Sequence, residues 1–228
     1  MTTPLMPWSS VVPYVTARRG EDPDSAAMLG LRPGGGGLCY LDEGPRDRDD
    51  QGVLWARCSQ NREDGWPVGS PRWREVHPSR QREAMQGLRC QVCVVQPASR
   101  TASGYLFLAT RPDDSVKSDW PEGALTWQPP LCLDCAVVAV EQCGHLVRAG
   151  AVVIRVRVPR LYGVVGTLYT TGPDMRPVPV KVSDEEADRP LSYKERLLRP
   201  WFLASQLVRE LRGVTVVDLE REVAAARS

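Results

Sequence analysis

The chain is poor in several residue types on which large classes of protein depend. Its 228 residues include only two histidines, two phenylalanines, three lysines and one asparagine, and the net charge is +1. A charge this small gives no field that would draw the whole protein to nucleic acid or to a membrane. The chain also lacks any run of about 18 apolar residues, so the sequence predicts no membrane-spanning helix.

Secretion is likewise not indicated by the sequence. The first ten residues contain neither a basic segment nor an apolar segment of the kind that forms a signal peptide. The chain has seven cysteines, an odd number, and four of them form two Cys-x-x-Cys pairs. This arrangement fits a reducing compartment better than a disulfide framework, so we expect a cytoplasmic protein without membrane association.

Composition and length predict one packed domain between less ordered ends. Hydrophobic residues make up 42% and charged residues 25% of the chain, close to the average of globular proteins. Five prolines and the glycine run at 34–37 predict a flexible N-terminal segment over residues 1–37. We expect a single domain over residues 38–220 and a C-terminal tail over residues 221–228.

Apolar spacing and turn residues predict both helices and strands. His77-Pro78-Ser79 begins a helix that runs to about Gln86, and a second helix runs from Cys132 to about Arg148. Ile154, Val156 and Val158 alternate with Arg155 and Arg157, which predicts a half-buried strand. Further strands are predicted at 38–41, 53–56, 104–109, 162–170 and 178–182, with hairpins joining 38–41 to 53–56 and 154–158 to 162–170.

The C-terminal region predicts an amphipathic helix. Ser192-Tyr193-Lys194-Glu195 matches a capping box, and beyond Pro200 an apolar stripe at helical spacing ends before Gly213. The residues of this stripe are Leu203, Leu207, Val208 and Leu211. The helix from Leu203 to Leu211 is therefore a candidate surface for a protein partner. A strand at 214–217 and a short polar helix complete the chain.

Two Cys-x-x-Cys pairs, Cys90/Cys93 and Cys132/Cys135, predict a metal site. Thiolates are soft ligands, and four of them around one ion select Zn²⁺. Four protein ligands leave no position for water or substrate, so the expected zinc is structural. The alternative is that the thiols are buried or redox-active without a metal.

The order of these elements resembles the treble-clef zinc finger, in which a cysteine turn, a β-hairpin and a helix bearing the second cysteine pair follow one another. The resemblance implies a treble-clef-like core over residues 90–150. The 38 residues between the pairs exceed the usual spacing, and Val94-Val95 stand where glycine is common. The expected fold class is α+β, with a small mixed or antiparallel sheet, this zinc-binding element and a C-terminal amphipathic helix.

Short segments spread over the chain carry a wider resemblance. They are Gln91-Val92, Pro129-Pro130, Tyr162-Gly163-Val164 and the run QLVRELRG at 206–213. On these segments the chain resembles an uncharacterised actinobacterial family of the Streptomyces type. The resemblance implies a bacterial cytosolic protein and no particular activity.

The remaining cysteines and histidines suggest no complete catalytic site. Cys143 lies on the apolar stripe of the second helix, about 12 Å along the axis from Cys135, which favours a core thiol. His145 is predicted near the end of the same helix, where a cation is favoured. A pair formed by Cys39 or Cys58 with His77 stays open as a nucleophile.

Two zinc-scaffolded enzyme classes share parts of the pattern. HNH nucleases need a histidine base and a second metal ligand near the finger, and the two histidines lie elsewhere. Zinc deaminases share the Pro-Cys-x-x-Cys sequence at 130–135, but no glutamate follows Cys90 at the required position.

A basic stretch ahead of the first cysteine pair is the leading candidate for ligand binding. It contains five arginines and one tryptophan against two glutamates, so it could hold phosphates while the tryptophan stacks on a base. These residues are Arg72, Trp73, Arg74, Arg80, Arg82 and Arg89. The alternative is a solvated helix face.

The sequence therefore predicts a non-enzymatic interaction or regulatory protein with DNA or RNA as the leading partner. A protein partner at the 203–211 helix and an enzyme with an unrecognised site are the alternatives.

Overall fold

The computed structural model describes residues 11–23, 28–110, 119–183, 186 and 189–227, and it confirms a mixed α and β architecture with a C-terminal helix. The helices are α1 (Pro78–Gln86), α2 (Leu133–Gln142), α3 (Gly144–Ala149) and α4 (Leu219–Arg227). The strands are β1 (Thr16–Arg18), β2 (Leu29–Leu31), β3 (Leu38–Tyr40), β4 (Leu54–Trp55), β5 (Arg62–Glu63), β6 (Trp66–Pro67), β7 (Pro71–Val76), β8 (Arg100–Thr101), β9 (Gly104–Thr110), β10 (Leu125–Thr126), β11 (Ala151–Thr171), β12 (Pro177–Pro179), β13 (Leu191–Ser192) and β14 (Phe202–Val216). Within these ranges, no helix combines the length and apolar content needed to cross a membrane.

The main sheet is built on two long strands. β11 and β14 pair antiparallel from Ile154 opposite Val216 to Leu168 opposite Phe202, with two irregularities in the register. The strand order is β10-β14-β11-β9-β8, while β12 and β13 also pair with β11 and β4 pairs parallel to β14. The strand predicted over 154–158 and its expected hairpin partner over 162–170 are thus one continuous strand.

β14 occupies the region where the sequence predicted an amphipathic helix, so that prediction is wrong. Leu207 and Val208 are adjacent and both buried, which means that both faces of the strand are covered. A strand covered on both sides shows no simple alternation, and its apolar residues can fall at helical spacing. Leu203 and Leu211 are buried as well, so they form no surface for a protein partner.

Several local predictions are corrected in the same way. Leu54–Trp55 pairs with β14 rather than with β3, whose partner is β2. The capping-box residue Ser192 ends β13, and turns and a short 3₁₀ helix at Arg199–Trp201 follow instead of an α-helix.

The predicted helix after the second cysteine pair is interrupted at Cys143. This residue has an extended conformation (ψ 107°) and separates α2 from α3. Gly144 follows immediately, and glycine is a poor helix former. Cys143 is consequently exposed and is not the core thiol that a continuous helix would have made it.

Both ends of the described chain contribute to the folded structure. Tyr14, Arg18 and Glu21 are buried, although the sequence placed them in a flexible segment. At the other end, Glu222 of α4 forms an ion pair with Arg155 of β11, whose side chain is 1% exposed. Arg155 also donates to the carbonyl oxygen of Ser99 (2.9 Å), so this side chain joins three distant segments.

Helix α1 lies where the sequence predicted it, and it packs onto β14 through polar side chains. It begins after His77 and ends at Gly87. The Gln81 side chain accepts a hydrogen bond from Leu207 N (2.8 Å) and donates to Leu207 O (2.9 Å), as a neighbouring strand would. Arg209 donates to the carbonyl oxygen of Met85 and thereby binds the C-terminal end of the helix. These contacts position the segment that leads to Cys90.

Candidate metal centre

The structure brings the four predicted cysteines together. Their sulfur atoms all lie within 4.8 Å of one another, and Cys93 Sγ is 3.8 Å from Cys132 Sγ. A tetrahedral ion with Zn–S bonds of about 2.3 Å would place its sulfurs about 3.8 Å apart. All four cysteines are free, so the cluster has the ligand set and the spacing of a tetrahedral metal site.

Backbone contacts hold the two cysteine pairs side by side. Cys90 and Cys93 lie in a turn after α1, whereas Cys132 is the N-cap residue of α2 and Cys135 lies in its first turn. Gln91 N donates to Pro130 O (3.0 Å), and Ser99 N donates to Leu131 O (2.8 Å). Residues next to the ligands are therefore hydrogen-bonded directly across the site.

The turn of the first pair has a left-handed residue directly after its second cysteine. Val94 N donates to Cys90 O (2.9 Å), and Val94 itself has a left-handed conformation with φ 49°. Few β-branched residues adopt this conformation, which glycine adopts without strain. The valine that departs from the usual pattern thus takes the conformation that glycine commonly supplies.

Burial and charge within the cluster both favour a bound cation. Cys90 and Cys135 are buried, and apolar residues, including Leu106, Leu131 and Val153, surround the sulfurs. Hydrogen bonds from the other three thiols lower the pKa of Cys90, and hydrogen bonds with Cys132, Cys90 and Cys93 raise the pKa of Cys135. Four thiolates this close repel one another, so full deprotonation requires a positive ion among them.

The surroundings of His77 and Cys58 do not favour a nucleophilic pair between them. His77 is buried; its Nδ1 accepts from Arg80 N and its Nε2 lies 3.1 Å from Ser59 O, so both ring nitrogens are engaged. Burial, together with the charge of Arg80, lowers the pKa of His77 and keeps the ring neutral. Burial and the nearby Glu21 raise the pKa of Cys58, which disfavours a reactive thiolate. His145 is exposed on α3.

Arg80, one of the six predicted nucleic-acid-binding residues, is in the interior. Its side chain is fully buried and forms an ion pair with Glu21, which is equally buried (Arg80 Nη2 to Glu21 Oε2, 2.8 Å). It also donates to Thr16 O (2.8 Å). Arg80 therefore cannot contact a phosphate, and its place in the predicted site is wrong.

The other five predicted residues lie in two places. Arg72, Trp73 and Arg74 are on β7, where Trp73 is 65% exposed and Arg72 pairs with Glu75 (2.8 Å). Arg82 and Arg89 instead line an open cleft between α1 and the segment 45–60.

This arginine cleft has a volume of about 1200 Å³. Arg82 stacks over Trp55 with its guanidinium carbon 4.7 Å from the ring centre, and Arg57 stacks over Tyr40 at 4.1 Å. Asp47 pairs with Arg57 (2.6 Å). The charged residues of the lining are Arg46, Arg48, Arg57, Arg82 and Arg89 against Asp22, Asp47, Asp50 and Glu83.

Three of the five arginines of this cleft, Arg46, Arg48 and Arg57, were not predicted because they lie in a polar loop without a motif. Asp49, in the same loop, has a structural role. It is buried and accepts hydrogen bonds from Val53 N (3.0 Å), Trp55 Nε1 (3.1 Å) and the Tyr193 hydroxyl (2.7 Å). Asp49 thus anchors the loop that presents the three arginines.

Comparisons of the chain with protein-family models, curated proteins and solved structures found no significant match. The chemistry of the four-cysteine cluster and of the arginine cleft is therefore the basis for a functional proposal.

Proposed function

We propose that the chain is a zinc protein in which Cys90, Cys93, Cys132 and Cys135 hold one structural Zn²⁺. The convergence of the four sulfurs within 4.8 Å supports this ion, and the 3.8 Å between Cys93 Sγ and Cys132 Sγ matches a tetrahedral tetrathiolate. Four protein ligands leave no open coordination position, so the ion stabilises the fold and takes no part in a reaction. The cysteine turn, the β8–β9 hairpin and α2 follow in treble-clef-like order.

We further propose that the protein is a non-enzymatic binding protein and that its partner is a nucleic acid held in the arginine cleft. Arg82 donates to the carbonyl oxygens of Arg46 (3.2 Å) and Arg48 (3.1 Å), and among the described residues it forms no ion pair. In the described part of the chain, Arg46 and Arg89 have no ion pair either. These three guanidinium groups are the candidate phosphate ligands.

Acidic residues in the cleft limit the strength of this binding. Glu83 accepts a hydrogen bond from the Tyr14 hydroxyl, whereas Asp22 and Asp50 lie exposed in the same lining. The lining has an excess of one positive charge, five arginines against four carboxylates. Affinity is therefore expected to depend on the positions of individual contacts and to be measurable mainly at low salt.

Replacing Arg46 and Arg89 together by Glu is expected to reduce nucleic-acid affinity at least tenfold, because two candidate phosphate contacts become repulsive. The matched control replaces Arg148 and Arg176 by Glu; both are exposed and lie outside the cleft. Fluorescence anisotropy with labelled oligonucleotides at several salt concentrations measures the effect. Three contacts to a single strand predict a log–log salt slope of about −2. Absence of binding by the unaltered protein at low salt would rule the proposal out.

A further inference from the structure

We infer that the arginine cleft takes single-stranded nucleic acid and that Trp66, which is linked to the cleft wall through Tyr14, stacks on an unpaired base. This inference rests on the proposed function and specifies the form of its ligand. The observations behind it concern the aromatic cluster formed by Tyr14, Trp66 and Arg62, which lies outside the predicted basic stretch at 72–89.

Trp66 is an anchored but accessible aromatic side chain. It lies on β6 of the short β5–β6 hairpin and is 39% exposed. Its ring meets Tyr14 edge to face, with the ring centres 6.5 Å apart and an interplanar angle of 89°. Arg62 lies over the Tyr14 ring (5.9 Å) and donates to the Tyr14 hydroxyl (3.1 Å). The indole thus packs against a buried partner while part of its surface stays exposed.

Two hydrogen bonds connect this aromatic cluster to the wall of the cleft. The Tyr14 hydroxyl donates to Glu83 Oε2 (2.7 Å), and Arg62 Nε donates to Gln60 Oε1 (2.8 Å). Glu83 and Gln60 both line the arginine cleft. The aromatic cluster thus adjoins the cleft wall at Glu83 and Gln60, which makes Trp66 the candidate to stack on a base of a strand whose phosphates lie at the arginines.

The combination of an open groove and an exposed indole favours a single strand over a duplex. Stacking requires a free base face, and the faces of paired bases in a duplex are covered by their neighbours. Every base offers such a face, so little sequence preference is expected. Both DNA and RNA strands provide the required phosphate and base chemistry.

The test compares single-stranded DNA, single-stranded RNA and duplex DNA of equal length by fluorescence anisotropy at low salt. Trp66→Ala is expected to weaken single-strand binding roughly 5- to 150-fold, the effect of losing one stacked base. Trp66→Phe, which keeps an aromatic ring, is expected to retain most of the affinity and to show that the fold is intact. Trp73→Ala is the matched variant at the more exposed tryptophan of β7 and is expected to change affinity less than twofold.

Several results would overturn the inference. If duplex binds as tightly as single strands, or if Trp66→Ala binds normally, the cleft does not use Trp66 for stacking. If Trp73→Ala is the variant that loses affinity, stacking belongs to β7, as the sequence predicted. In each of these cases, loss of binding in the Arg46→Glu, Arg89→Glu variant would still support the proposed function. If the unaltered protein binds no oligonucleotide, both the proposed function and this inference are contradicted.

Discussion

Replacing Cys90 or Cys135 by Ser is expected to destabilise the fold around the cysteine cluster strongly. Structural zinc sites in small domains contribute about 10–16 kcal/mol at neutral pH, whereas whole domains are stable by only about 5–15 kcal/mol. Losing one of four ligands removes a large share of that binding energy. Cys90 and Cys135 are also the two buried ligands, so the substitution leaves a polar group in an apolar cluster.

Thermal unfolding followed by circular dichroism measures this effect, and a strong zinc chelator should reproduce it in the unaltered protein. We expect the melting temperature to fall by at least about 15 °C or the transition to become non-cooperative. Cys143→Ser is the matched control, because Cys143 is exposed and follows the proposed ligand Cys135 closely in the sequence. A Cys90→Ser variant that melts like the unaltered protein would show that no metal supports the fold.

Replacing Glu21 by Ala is the second change expected to have a large effect. It leaves the guanidinium of Arg80 buried without its counter-charge, and Arg80 Nε already has no hydrogen-bond partner among the described residues. Breaking a buried ion pair from one side costs about 3–5 kcal/mol. In a chain of this length the cost corresponds to a melting temperature lower by roughly 6–20 °C.

The control replaces both members of the pair by Met. Removing both charges together should cost much less than removing Glu21 alone, since well-packed apolar residues can substitute for a buried pair. Equal destabilisation in the single and double variants would contradict this account of the pair.

The pH dependence gives an independent check on Glu21. Burial alone would raise its pKa, but hydrogen bonds from Arg80 and from Arg18 N outweigh burial and lower it. A carboxyl group with a lowered folded-state pKa stabilises the protein above its unfolded pKa of about 4.3, and this contribution disappears as the pH falls through the folded-state pKa. Chemical denaturation between pH 7 and pH 3 should therefore show a smaller acid-induced loss in Glu21→Gln than in the unaltered protein.

The features that were predictable from the sequence are those encoded by neighbouring residues. Helix α1 begins at a histidine–proline sequence and ends at a glycine, and the structure has both boundaries within a residue of their predicted positions. Strand β9 and the cysteine pairs were located for the same reason. A two-residue gap within each pair is itself sufficient to direct both sulfurs to one point.

Features that depend on distant partners were not predictable in this way. Arg155 was expected on the exposed side of a half-buried strand, yet α4 and the segment at Ser99 cover that side. Arg80 was predicted on a basic helix face. In the structure it is paired with Glu21, which lies 59 residues away in the sequence. For β14, the coverage of both faces removed the alternation that identifies a strand.

The cleft illustrates the same physical limit. Arg46 and Arg48 contribute to it because their loop folds back onto α1, where their carbonyl oxygens accept hydrogen bonds from Arg82. No spacing rule connects residues 34 to 36 positions apart in loop and helix. Only the folded chain brings these arginines to one surface.

The metal content of the purified full-length chain tests the central claim most directly. Native mass spectrometry with elemental analysis should find one zinc ion per chain, and the four cluster thiols should resist alkylation until a chelator is added, while Cys143 reacts at once. A metal-free protein whose fold and thiol reactivity do not change on addition of zinc would contradict the account.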